Sequence, residues 1–436
     1  MMKRSLAIFP IILLSAALVL AGCAPAGETT PPTAAPAGGS GDLMAGIAKS
    51  DWSSISPLTD PMAIEAINRF SAALLQSSVI RDGNVMISPA SVYLALAMTA
   101  NGADTETLDA MLAALSMDRE DLALLNEASR SWIAHLNRTG DAATVRVSNG
   151  LWFDEEFVPD PGFLAANADY FGAAARKLDF RAPGAPATIN QWVSEETEGL
   201  IDGIIQEIDP AVVMYLINTL YFKADWQMPF DPAQTRDRTF ETPSGAVETP
   251  FMHRTGDMTY FQDLGATGVA LPYLDSSLAF FALLPDGGTT PRDWLAAQDS
   301  TTLFATISRL SQQPTVMVDL ALPAFEVRDE DSLLDELTQL GLGVAFDPGA
   351  ADFSKMNENR ARNLFISDVL HKTYIRVDEK GTEAAAATSV EISLTSLPVV
   401  DQTMTLDHPF VYGVLDLSTG TPLFVGLLED PSVLLN

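Results

Sequence analysis

The chain has 436 residues, 47% of them hydrophobic and 19% charged, and a formal net charge of −32. That length and apolar share suffice for one large core or two ordinary ones. So acidic a chain repels polyanions, which argues against nucleic acid and heparin-like polysaccharide as partners.

At the N-terminus, Lys3 and Arg4 precede an apolar run from Leu6 to Leu20. The run is short for a membrane span and reads as a signal peptide. Its ending, Leu20-Ala21-Gly22-Cys23, resembles the lipobox of bacterial lipoproteins. That resemblance implies cleavage before Cys23, acylation of its thiol, and an extracytoplasmic protein lipid-anchored to the bacterial cell membrane. Cys23 is the only cysteine, so no intramolecular disulfide forms. From Ala24 to about Gly46 the residues are mostly Pro, Ala, Gly, Ser and Thr. Such a tether has a reach of about 25–30 Å. The expected organisation is a signal peptide over 1–22, the lipidated cysteine and tether over 23–57, and one domain over 58–436.

The domain opens with helical signals. Apolar residues recur at helical intervals from Pro61 to Ser77, and Ser88 is placed to cap a helix with Pro89 in its first turn. Gly102 ends that helix, and residues 107–115 and 121–136 are amphipathic. Strand signals then dominate at 145–153, 213–222, 269–273, 278–284, 316–322 and 424–428, with helices expected at 161–168, 188–197 and 332–340. Helices first and mixed strands after them predict an α+β domain.

Residues 379–397 carry an unusual pattern. With a period of two, one face holds Thr382, Ala384, Ala386, Thr388, Val390, Ile392 and Leu394. The other holds Glu383, Ala385, Ala387, Ser389, Glu391 and Ser393. This suits a strand with one buried and one wet face. Alanine is nevertheless poor strand material and the best helix former. A conditional strand and an alanine-rich helix over 382–390 followed by a short strand both fit.

Several stretches in order resemble the serpin family: Asn84 to Ala103, Ile189 to Val193, Asn218 to Trp226, Asp378 to Thr388, His408-Pro-Phe410 and Phe424-Val-Gly426. The resemblance covers residues 58–436. It implies three β-sheets, eight or nine helices and an exposed reactive loop at about 379–400. In inhibitory members a protease cleaves this loop, which then enters the central sheet as a strand. The hinge would comprise Glu379, Gly381, Thr382, Glu383, Ala384, Ala385, Ala386, Ala387 and Thr388. Gly381 would act as a flexible pivot, and small residues would let the loop slip between paired strands. Family spacing puts the scissile bond at Thr395–Ser396, with Leu394 and Leu397 as alternatives. Ser88, Ser91, Asn218 and His371 match a gate beneath the insertion path, and Trp226 and Glu379 match its entry. Ala324 departs from a lysine that often partners the entry glutamate.

The expected partner is a chymotrypsin-, elastase- or subtilisin-like serine protease. A trypsin-like target is disfavoured, because no Lys or Arg lies between Gly381 and His408. Four histidines and one cysteine suggest no zinc set, so neither metal nor cofactor is expected. The reading is of a monomeric, non-enzymatic inhibitor. A non-inhibitory serpin-fold binding module and an inhibitor of papain-like cysteine proteases stand as alternatives.

Overall fold

The computed structural model describes residues 41–44, 47, 51–139, 143–382 and 399–433. Cys23, the signal peptide, most of the tether, and loop residues 383–398 with Leu394, Thr395, Ser396 and Leu397 lie outside the described residues.

Helix α1 (Pro61–Ser78) begins where Asp60 accepts hydrogen bonds from the amides of Met62 and Ala63. Helix α2 (Pro89–Ala100) is capped by Ser88, whose Oγ accepts from the Ser91 amide at 3.2 Å. Nearly every residue of α2 is buried, as expected of a helix apolar on all sides. Among the described residues there are ten α-helical stretches, the last two forming one helix broken at Gly341.

The central sheet contains seven strands. In chain order they are β1 (Arg138–Thr139), β2 (Ala143–Asp154), β3 (Ala174–Leu178), β4 (Met214–Asp225), β5 (Phe325–Ser332), β6 (Leu370–Val377) and β7 (Gly381–Thr382). Their spatial order is β5-β6-β7-β4-β2-β1, with β3 parallel to β2 on that same flank. Two further sheets share the long strand Gly245–Asp263. Its first part pairs with Arg236–Thr242 and Val316–Pro323, and its end continues through Ala266–Pro272 into an apolar sheet under α1 and α2. The α+β architecture with three sheets matches expectation.

A helix over Ala185–Glu196 lies on the outer face of the central sheet. Its Ile189, Trp192 and Val193 form a separate apolar cluster with Trp152 and Ile217. Gly150 permits this approach, since a Cβ there would sit 2.8 Å from the Trp192 ring.

Two expectations need correction. The tether was expected to run to residue 57, yet Asp42 bridges to Arg176 on β3 and the Leu43 amide donates to Ala175 O at 3.0 Å. Met44 is buried in the core and Trp52 packs against it. The fold therefore begins near residue 41, because two apolar side chains suffice to dock a strand-like segment on an unpaired edge. The helix expected over 332–340 begins instead as the end of strand β5, with helical backbone only from Leu334. Alternation in Phe325–Ser332 wins over helical spacing because Phe325, Val327 and Asp329 are buried by β6 and the core.

Candidate functional site: a gap in the central sheet

Among the described residues, only the two of β7 lie between β4 and β6. Thr382 pairs with Val377 on one side and Ala224 on the other, and Gly381 pairs with Asp225. Beyond Thr382, no ladder joins β4 to β6 among the described residues. Among the described residues, β4 and β6 are thus joined through β7 at one end of the sheet.

The entry is built around Trp226. Its Nε1 donates to Asp378 O at 2.8 Å and its amide to Lys380 O at 2.7 Å. The indole stacks on Tyr273 with centroids 4.7 Å apart. Tyr273 Oη and Thr382 Oγ1 are hydrogen-bonded at 2.6 Å, and burial holds the phenol well above its usual pKa. A turn from Asp378 to Gly381, closed by the Asp378 amide to Gly381 O at 3.0 Å, delivers Thr382 into the slot. Glu379 accepts from Thr235 Oγ1 at 2.7 Å. Glu379 is therefore partnered by a hydroxyl, and position 324 is alanine.

Gly381 has a further structural reason to be glycine. Its φ is not in the left-handed region. The glycine is needed because a Cβ would lie 2.1 Å from Ala224 O and 2.8 Å from Asp225 Cα. Thr382 is already a core residue at 2% exposure.

The lower site lies six residues along β4, roughly 20 Å away at strand rise. His371 on β6 is buried, and its Nε2 accepts the Ser88 amide at 3.0 Å. Burial, with the Arg81 charge adding to it, lowers its pKa to about 4. The imidazole is therefore neutral at physiological pH, with Nε2 as an acceptor. Ser88 Oγ donates to Leu423 O at 2.9 Å, and Ser91 Oγ to Asn218 O at 3.3 Å. Asn218 Nδ2 in turn donates to Asn149 Oδ1 at 2.7 Å. His371 thus engages Ser88, while Ser91 engages Asn218: two links, one on each side of the gap. All four line a cavity of about 20 Å³ between β4 and β6, room for about one water.

The sequence-expected residues therefore fall into two groups, Glu379, Gly381, Thr382 and Trp226 at the entry and Ser88, Ser91, Asn218 and His371 below. Tyr273 and Lys372 also belong to the site and escaped sequence reading. Tyr273 ended an ordinary strand signal, and Lys372 lies in a stretch for which the sequence suggested no element. Among the described residues, no group of three or more His, Cys, Asp or Glu side chains is placed to hold a metal.

A family model described as Serpin (serine protease inhibitor) matches residues 65–431. A serpin-like protein of Thermococcus kodakarensis is 31% identical over 373 residues, covering 84% of this chain and 85% of its own. The leukocyte elastase inhibitor of Equus caballus is 30% identical over 360 residues, covering 80% and 93%. The crystal structure of the thermophilic serpin tengpin in its native state is 34% identical, with a TM-score of 0.81 over 90% of this chain and 99% of tengpin. The chain belongs to the serpin family.

Proposed function

We propose that the protein inhibits extracytoplasmic serine proteases by a suicide mechanism, held at the cell surface through a lipid on Cys23. One observation carries this reading: Gly381 and Thr382 are paired between β4 and β6, and beyond them no ladder joins those two strands among the described residues. A strand continuing that register would set Ala384 opposite Phe222 and Ile375, and Ala386 opposite Leu220 and Thr373. Thr388 would meet Asn218 and His371. These partners are core-side or gate residues, and the entering side chains are small. On the outer face, Glu383 would fall between Lys223 and Arg376.

In the proposed reaction the protease serine attacks the carbonyl of Thr395 (or of Leu394 or Leu397). The peptide C–N bond breaks, the new amine takes a proton from the protease's histidine, and an ester remains. Inserting the freed arm moves the attached protease before water attacks that ester. The inhibitor contributes no catalytic group; its folded form is held kinetically above a more stable inserted form.

The test is to mix the soluble domain with elastase-, chymotrypsin-, subtilisin- and trypsin-like enzymes. A covalent complex surviving SDS is expected with one or more of the first three and not with trypsin. Cleavage by all of them without any such complex contradicts the proposal and favours the binding-module alternative.

A further inference from the structure

Past the proposed scissile bond, the chain rejoins the domain at a fixed point. Asp401 holds Met317 twice: its amide donates to Met317 O at 2.9 Å, and its Oδ2 accepts the Met317 amide at 3.0 Å. Gln402–Thr405 then pairs in parallel with Val316–Pro323. Met404 and Leu406 are buried, and the Leu406 amide donates to Ala321 O at 3.0 Å. Val399 and Val400 stand immediately before this stem. Val399 is 85% exposed, and among the described residues no large apolar side chain is more so. Val400 is 41% exposed. β-Branched residues favour extended backbone, in which successive side chains face opposite ways. The unequal exposure of the pair fits that alternation. A lone apolar surface residue is ordinary. What sets Val399 apart is its place, four residues beyond Thr395 and two before the Asp401 clip.

We propose that Val399 is a specificity-determining residue, seating in an apolar recess on the leaving-group side of the attacking protease's cleft. The inference rests on the reading that a serine protease cuts the chain after Leu394, Thr395 or Leu397. From Leu394 to Val399 is at most about 18 Å, even fully extended. An enzyme of about 200 residues has a radius of gyration of about 16 Å and is roughly 40 Å across. Its face therefore covers Val399 whichever of these bonds its cleft holds. The recess must be apolar, because a polar enzyme surface pressed on a valine loses water and gains no hydrogen bond. The contact lasts only while the enzyme is at the loop. Val399 stays with the stem, whereas the proposed insertion carries the enzyme away. The contact therefore speeds capture and leaves the later contest between trapping and hydrolysis unchanged.

The test uses the soluble domain with pancreatic elastase, chymotrypsin and subtilisin, reading the second-order rate of cutting after residues 394–397 and the fraction trapped. Val399→Ser is expected to slow cutting about tenfold with at least one enzyme, the discrimination an apolar recess gives. Val399→Leu should stay within about twofold of the parent, as should Val400→Ser, whose side chain faces the other way. The trapped fraction and the melting temperature should not move in any variant. An unchanged rate in Val399→Ser with every enzyme overturns the contact, as does an equal loss in Val400→Ser or the absence of any cut after 394–397. The rate of cutting is read whether or not a covalent complex survives. A slowed Val399→Ser without trapping thus upholds the contact while the suicide mechanism falls, and trapping with an unslowed Val399→Ser does the reverse.

Discussion

Under the proposed mechanism, replacing Ala384 with arginine is expected to leave a protease substrate in place of an inhibitor. The register set by Thr382 with Ala224 and Val377 sends residue 384 to the core side, opposite Phe222 and Ile375. Those two are 5% and 2% exposed. An unpaired guanidinium there costs several kcal/mol. Insertion would stall two residues past Thr382, giving water time to hydrolyse the ester. The yield of SDS-stable complex should fall at least about tenfold, the equivalent of about 1.4 kcal/mol in the partition. Ser393→Arg, on the alternate face, should retain the complex. Undiminished trapping by the Ala384 variant contradicts insertion in this register. Thr382 is a poorer site for the same experiment, because it is buried and bonded to Tyr273 before any cleavage.

Gly381→Val is expected to expel the hinge from the sheet of the uncleaved protein. The clashing atoms are the carbonyl oxygen and Cα of the neighbouring strand, and backbone cannot rotate away as a side chain can. Thr382 would lose its burial, its bond to Tyr273 and its pairing on both sides. A loss of about 3 kcal/mol is expected, read as a lower guanidinium midpoint for the first unfolding transition. The same midpoint in variant and parent would mean that the close approach is not needed.

How much of this was legible beforehand depends on the kind of evidence each residue leaves in a sequence. The cap at Ser88 and the helices from Pro61 and Pro89 follow from local chemistry, so their positions were readable; the cap at Asp60 emerged only in the structure. Strands Val316–Pro323 and Leu278–Pro285 were readable because both are rich in residues that suit a buried sheet. Strand β6 was not, since Leu370–Val377 mixes a histidine, a lysine and an arginine whose partners lie far off in sequence. Alternation at 382–394 could be read as a strand or dismissed as a helix, and residue composition could not decide between them. The structure describes its first residue as strand and core. The two links through His371 and Asn218 came from family resemblance. Which atoms meet depended on tertiary contacts between helix α2, β4 and β6. Tyr273 and Lys372 left no local signal at all, because each bonds to groups more than a hundred residues away.

The most direct measurement is the melting temperature before and after a single cut between residues 394 and 397. Packing Val390, Ile392 and Leu394 into the core contributes about 5–9 kcal/mol as an upper estimate, on top of two completed strand ladders. The cut protein should therefore melt on the order of 10 °C or more above the intact one. If the two forms unfold at the same temperature, the intact fold holds no reserve of free energy, and trapping by strand insertion is excluded.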